Sequence, residues 1–314
     1  MRYYFAPMEG LTDSVYRRVH HTYFPGVDRY YTPFISPTIH RSLTQKEKRE
    51  IPEADTLGYR VVPQILTKNA EDFLWLARQC RELGYEEVNL NLGCPSGTVT
   101  AKGKGSGMLR DPEALDRFLE EIFRDRPLDI SIKTRLGFDS SEEFPGILAV
   151  LNRYPIRELT IHPRVRNAFY KGKVDMEGFD YAAKNSNVPL CYNGDIASVE
   201  QIGALEQGYP HVESVMIGRG LIGDPGMVTP GGTTREALEG FCDDLLQAYT
   251  EAFGSARNAL PRLKENWRYL SRRFVGSEKL WKRLRKTTDI REFTAITREI
   301  FATLPLAPAL DPDW

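Results

Sequence analysis

The sequence predicts an α/β protein: a (β/α)8 TIM barrel followed by a small all-α helical bundle. Three observations carry that expectation. Eight short, β-rich apolar runs recur through the first two-thirds of the chain, most of them separated by helical patterns. Polar and charged residues gather where those runs end. After Pro230-Gly231-Gly232, a turn-rich breaker, the pattern becomes wholly helical. The 314 residues, 41% of them hydrophobic, can fill one large barrel with an appendage, or two ordinary domains. An open doubly wound sheet is the competing layout. No G-x-G-x-x-G follows the first run, which weakens it.

The expected strands are Tyr3–Pro7, Arg29–Phe34, Arg60–Ile65, Glu87–Leu92, Asp129–Thr134, Glu158–His162, Pro189–Asn193 and Ser214–Ile217. Glu71–Leu83 and Pro112–Phe123 are the clearest intervening helices, with apolar positions at helical spacing. Asp111 and Pro112 supply an N-cap and a first-turn proline for the second of them. Beyond the breaker, Thr233–Phe253, Ala259–Phe274, Ser277–Lys286 and Asp289–Leu304 are expected to be helices. The proline-rich tail Leu304–Trp314 is expected to lie along the surface. The barrel would occupy residues 1–235 and the helical domain 236–314.

Composition narrows the function classes. No run approaches the roughly 18 apolar residues of a membrane helix, and no signal-peptide core opens the chain. Cys80, Cys94, Cys191 and Cys242 show no C-x-x-C spacing. That argues against a zinc site or a disulfide framework and fits a reducing cytoplasm. The formal net charge of −1 hides an asymmetry, since residues 257–314 carry +6 and the rest −7. Charge gathered at one end suggests a polyanionic partner for that end.

The most informative stretch runs from Val88 to Leu109. An alternating strand breaks at Gly93-Cys94-Pro95 into a loop holding four glycines with Lys102 and Lys104. Most lone cysteines are small buried hydrophobes. Here the flanking Gly, Pro and Lys residues describe an exposed, positive turn where a thiol can exchange a proton.

Chemistry-bearing residues fall at the other strand ends as well: Met8 and Glu9, Gln64, Asn91, Lys133 and Arg135, His162 and Arg164, Asn193-Gly194-Asp195, and Gly218-Arg219-Gly220. Each alone could be a cap or a solvated rim group, but the carboxyl-end rim is where barrel enzymes place their sites. The glycines after the seventh and eighth strands, with Arg219, suit a phosphate. Lys133 and His162 are expected to point inward and suit an electron-rich ring such as an isoalloxazine, although Lys133 could instead pair with a barrel carboxylate. Between Arg257 and Arg291 there are 12 bases against 3 acids, with Lys264, Arg268, Arg272, Lys279 and Arg283 among them. Contact with nucleic-acid phosphates explains that bias better than helix solubility does. The interleaved aromatics are expected to pack the bundle core.

Together, Ala6-Pro7-Met8-Glu9-Gly10, Asn91-Leu92-Gly93-Cys94-Pro95, Lys133-Thr134-Arg135-Leu136-Gly137, His162-Pro163-Arg164, Asn193-Gly194-Asp195 and Gly218-Arg219-Gly220 resemble the tRNA-dihydrouridine synthases. Arg262-Leu263-Lys264 with Trp267 and Tyr269 is similar to the helical domain of the bacterial C-type branch. Leu92, Pro163 and Met176 depart from the usual pattern. The resemblance implies a cytoplasmic, metal-free enzyme that binds FMN, takes electrons from NADPH and reduces the C5=C6 bond of tRNA uridines. Pro7, Met8, Glu9, Gln64, Lys133, His162, Asn193, Gly194, Asp195, Gly218 and Arg219 would hold FMN, and Cys94 would be the proton donor. Asn91, Arg135 and Lys102 would contact the target nucleotide, while Lys264, Arg268, Arg272, Lys279 and Arg283 would contact the tRNA. A monomer is the default expectation. Two rival functions are an FMN barrel reducing a free small molecule and a tRNA-binding protein without catalysis.

Overall fold

The computed structural model describes residues 1–38 and 40–310. Its strands are β1 (Arg2–Phe5), β2 (Arg29–Tyr31), β3 (Val61–Val62), β4 (Gln64–Ile65), β5 (Glu87–Leu92), β6 (Asp129–Gly137), β7 (Leu159–Val165), β8 (Leu190–Tyr192) and β9 (Ser214–Ile217). They hydrogen-bond in parallel in the order β3-β2-β1-β9-β8-β7-β6-β5-β4. The two ends of that order, β3 and β4, are one run interrupted at Pro63, so the sheet closes on itself. Proline cannot donate to a ladder, which accounts for the interruption. Its carbonyl still accepts from the Asn89 amide at 2.8 Å. Eight strand positions therefore form the expected barrel.

Strand residues are buried on both faces, as a barrel wrapped by helices demands. Val88, Leu90 and Leu92 alternate along β5 with Glu87, Asn89 and Asn91, and the alternation sends two chemically different sets to opposite faces. Tyr4, Ala6, Tyr31, Val62, Cys191 and Met216 form one buried cluster. The barrel's helices are α1 (Ser14–Tyr23), α2 (Gln45–Glu50), α3 (Ala70–Glu82), α4 (Gly97–Thr100), α5 (Pro112–Arg124), α6 (Phe144–Leu151), α7 (Met176–Asn185), α8 (Val199–Gly208) and α9 (Arg219–Gly223), with the expected Glu71–Leu83 and Pro112–Phe123 appearing as α3 and α5. Asp111 caps α5 by accepting from the Ala114 amide at 3.0 Å.

The chain packs as two compact units. One comprises Met1–Pro7, Arg29–Gly194 and Glu206–Met216 and carries most of the barrel; the other comprises Met8–Asp28, Asp195–Leu205 and the chain from Ile217 onward. In the second unit α10 (Arg235–Ala252), α11 (Ala256–Leu270), α12 (Glu278–Leu284) and α13 (Ile290–Thr303) follow the breaker. Phe241 of α10 meets Tyr16, His20 and Phe24 of the α1 segment edge-on. Trp267 packs with Phe274, Phe293 and Phe301 in a second aromatic cluster, so these rings build the bundle core. The tail bridges back antiparallel, with Ala307 donating to Arg273 at 2.8 Å. Its last four residues, 311–314, lie outside the described residues. No helix is long and apolar enough to cross a membrane among the described residues.

Candidate active site

Cys94 is half-buried at the start of the loop after β5. Asn91, the inward residue three positions earlier, accepts hydrogen bonds from the Gly93 amide at 3.0 Å and the Cys94 amide at 2.8 Å. The Cys94 carbonyl accepts from the Ser106 hydroxyl at 2.8 Å and from its amide at 3.2 Å. Gly105 is why the return leg comes so close. It sits at φ +58°, and a Cβ there would lie 2.9 Å from the Cys94 carbonyl oxygen and 3.0 Å from its Cβ.

The carbonyl end of Asn91 is fixed by a buried amide relay. Asn91 Nδ2 donates to Gln64 Oε1 at 2.8 Å, Gln64 Nε2 to Asn89 Oδ1 at 2.8 Å, and Asn89 Nδ2 to the Ser131 hydroxyl at 3.0 Å. All three amides donate in the same direction, so none of them can flip without leaving buried polar atoms unsatisfied. The cysteine loop is thus anchored to the strands of the barrel itself.

Lys133 stands opposite Asn91 in the β5–β6 register, and Arg135 pairs in register with His162. Burial, with the nearby Arg135 guanidinium, pulls the Lys133 ammonium down to about 7; Cys191 and Cys94 oppose that shift. The alternative that Lys133 pairs with a barrel carboxylate finds no support among the groups that set its affinity. The sign of the pH dependence follows. Between about pH 7 and the ordinary lysine value of 10.5 the unfolded chain holds this proton and the folded chain does not. Stability of the cofactor-free protein should therefore rise with pH through that window. Lys133→Met should lose that rise, as read by urea unfolding at about pH 7 and about pH 9.5. Equal responses of the two proteins would sink this account.

Arg135, expected at the target nucleotide, turns its side chain to the loop. It is 1% exposed, and its Nε donates to the Gly93 carbonyl at 2.9 Å while Nη1 donates to Val165 at 3.0 Å. The structure thus has Arg135 holding the Cys94 loop. Arg164 Nη1 donates to His162 Nε2 at 2.9 Å, which fixes the tautomer with the proton on Nδ1. Tyr170, absent from the sequence-derived candidates, is 55% exposed and stacks on the His162 ring at 6.1 Å, with the Arg135 guanidinium 5.3 Å from its centroid. An exposed aromatic pair, Phe169-Tyr170, between basic residues was the signal that could have found it.

The other candidates divide between the two units. In the barrel unit Asn193 Nδ2 donates to the Met216 carbonyl at 2.7 Å. Gly194 is a glycine because a Cβ would lie 2.9 Å from the Tyr192 hydroxyl. Pro7 is half-buried at the end of β1, and Lys102 is exposed on the cysteine loop. In the second unit Met8 closes a turn through Thr12, with Glu9 exposed on it. Asp195 sits at φ +47° and pairs with Arg219 at 2.7 Å, where Gly218 caps α9. Gly220 packs on the Ile196 carbonyl.

The cations of the helical unit are not equivalent. Lys264 donates to the Thr287 carbonyl at 3.1 Å, and Arg283 pairs with Glu299 at 3.0 Å, so both already serve the fold. Lys279 is exposed near the start of α12. Arg268, Arg272, Lys282 and Arg285 line a cleft of about 920 Å³ together with Trp281. Among the described residues no group of three or more His, Cys, Asp or Glu side chains could hold a metal ion.

The family model described as "Dihydrouridine synthase (Dus)" matches residues 4–293. The chain is 28% identical over 225 residues to "tRNA-dihydrouridine synthase B" of Pasteurella multocida, covering 71% of this chain and 67% of that protein. It is 31% identical over 241 residues to "tRNA-dihydrouridine(16) synthase" of Shigella flexneri, covering 72% and 74%. Among solved structures, a morphinone reductase variant superposes with a TM-score of 0.52 at 10% identity over 72% of this chain and 85% of that one. That likeness speaks for the barrel alone. The clamped cysteine loop and the match across both units have one explanation: the chain belongs to the dihydrouridine synthase family.

Proposed function

We propose that this protein is a flavin-dependent tRNA-dihydrouridine synthase, an oxidoreductase that adds hydrogen across the C5=C6 bond of uridines in tRNA with NADPH as the electron source. The carrying observation is a thiol loop anchored through Asn91 and Arg135 beside a half-buried lysine, in a chain of this family. The reading places the protein in the cytoplasm, as a monomer, with residues 1–235 as catalytic barrel and 236–314 as tRNA-binding domain.

The residues fit FMN. Lys133 is a desolvated amine with no carboxylate among the groups that tune it, a donor suited to an electron-rich heterocycle. Gln64, Lys133, His162 and Asn193 would hold the cofactor with Pro7 and Gly194; Met8, Glu9, Asp195, Gly218 and Arg219 are proposed for it from residue type alone. When bound, the flavin supplies the hydride.

Reduction of the uracil ring leaves an enolate that needs a proton at C5. Cys94 Sγ gives that proton. Asn91 and Arg135 hold the loop so that the thiol loses no freedom at the moment of reaction. Tyr170, 55% exposed, offers an aromatic ring against which an extruded base can pack, which helps offset the few kcal/mol of taking it out of the tRNA stack. Lys102 lies exposed on the same loop to meet a phosphate.

The test is direct. The purified protein, reconstituted with FMN, should show a flavin spectrum and convert uridine in tRNA lacking dihydrouridine, with position-resolved sequencing naming the site. Failure to bind flavin, or equal turnover of free uridine, would overturn the reading. Affinity for tRNA should also fall about a hundredfold between 50 and 200 mM salt if four phosphates are contacted. Arg268→Gln or Arg285→Gln should each flatten that dependence, whereas Arg283→Gln and Lys264→Met should flatten it less. A uniform response across all four would contradict the division drawn here.

A further inference from the structure

Resting on Cys94 as the proton donor, we propose that Arg166 is a positioning residue that sets where the thiol stands and couples the cysteine loop to the Tyr170 loop. Arg166 opens the short 3-10 turn after β7, Arg166–Ala168. Its Nε donates to the Pro95 carbonyl at 3.1 Å, one residue past Cys94, and its Nη2 donates to the Thr100 hydroxyl at 3.3 Å in α4. Together with Arg135 on Gly93, Asn91 on the Cys94 amide and Ser106 on the Cys94 carbonyl, this bond pins the main chain on both sides of the thiol.

The guanidinium is itself held in place. Its plane lies 5.1 Å from the Phe138 centroid and 5.2 Å from that of Phe169. Arg110, at the far end of the cysteine loop, sits 3.7 Å from the same Phe138 ring. Nη1 donates to Asn167 Oδ1 at 2.9 Å, and Asn167 Nδ2 reaches Asp139 Oδ1 at 2.7 Å. Phe169 adopts φ +49°, a costly conformation for an aromatic residue that persists only where surroundings impose it. That strain places its ring against Arg166, and the next residue, Tyr170, stacks on His162. A load on Tyr170 is therefore carried by Arg166 to the residue beside Cys94. Lysine could keep the charge but not the planar fork or the stacking.

The experiment uses the FMN-loaded enzyme in four forms: wild type, Arg166→Gln, Cys94→Ala and the double variant. Three quantities are read: NADPH-driven bleaching of the flavin, single-turnover reduction of tRNA uridine, and iodoacetamide labelling of Cys94 resolved by peptide mass. A misplaced thiol should lower uridine reduction in Arg166→Gln by about 10²-fold. Flavin bleaching should stay within about twofold of wild type, which also shows that the variant is folded. Labelling of Cys94 should change in rate. In the Cys94→Ala background the Arg166 substitution should cost nothing further, because its effect runs through the thiol.

The same loss in both backgrounds, or wild-type rates and labelling in Arg166→Gln, would overturn the proposal. So would full recovery in Arg166→Lys, since charge alone would then suffice. Phe169→Ala, which leaves every hydrogen-bonding group in place, should shift the same step in the same direction by a smaller factor; no shift would count against the coupling. If Cys94→Ala alone proved fully active, the proton-donor reading would fall, and the labelling rate would still decide whether Arg166 places the loop.

Discussion

Cys94→Ala should slow reduction of tRNA uridine by about 10²–10⁴-fold, the usual worth of a positioned general acid, while flavin binding and flavin bleaching by NADPH should be retained. The structure makes this substitution unusually clean. The main chain around the thiol is held at the Gly93 carbonyl, the Gly93 and Cys94 amides, the Cys94 carbonyl and the Pro95 carbonyl. Alanine keeps all of them and removes the sulfur. The lost rate then reports proton delivery rather than a collapsed loop. Cys94→Ser should fall between the two, since a hydroxyl keeps the proton but gives it up far less readily. Single-turnover measurement with pre-reduced enzyme checks both variants. A Cys94→Ala enzyme that matches wild type would remove Cys94 from the chemistry.

The barrel was legible because its eight strands are separated by turn chemistry and helical periods that a linear pattern can show. The same pattern drew Arg60–Ile65 as one strand, and only the ladder reveals that Pro63 splits it. It ended the fifth and sixth strands at Thr134 and His162. In the structure both run on, to Gly137 and Val165, through a register shift at Arg135 that no alternation announces. The rim residues were visible as types, yet their assignments depended on partners distant in sequence. Arg135 faces Gly93, 42 positions away, so a residue expected at the nucleotide is seen to hold the loop. Lys264 and Arg283 look like the other bases of the helical segment until Thr287 and Glu299 are seen to occupy them. Arg166 and Tyr170 escaped notice because the Arg166–Gly172 loop has no period to read, and its meaning lies in what it touches.

At the opposite ends of the strands from the rim, Glu87→Gln should destabilise the protein by about 3–5 kcal/mol without entering the chemistry. Glu87 opens β5 and is 3% exposed. Its Oε2 lies 3.2 Å from Arg29 Nη1 and 3.1 Å from Arg157 Nε. Burial works against the Arg29 charge, but Glu87, with Tyr4, Tyr31 and Glu158, more than offsets it and raises the guanidinium's proton affinity. Glutamine keeps the shape and strips away the charge, leaving the buried Arg29 guanidinium without its nearest counter-ion, whereas Arg157, 32% exposed, keeps Asp129. Glu158 is the contrasting neighbour. It accepts from the Tyr4 hydroxyl at 3.1 Å and the Ser214 hydroxyl at 2.9 Å, and lies a looser 4.0 Å from Arg29. Burial pushes its carboxyl above the ordinary 4.5, only partly opposed by the Ser214 hydrogen bond. Its contribution is therefore greatest below pH 4.5 and shrinks as pH rises through the raised value. At neutral pH, Glu158→Gln keeps the acceptor, sheds an ill-favoured charge and should cost about 1 kcal/mol or less. Urea midpoints of the two variants at pH 7 decide the matter. If both shift equally, the network is not centred on Glu87, and the strength assigned to its paired arginines is wrong.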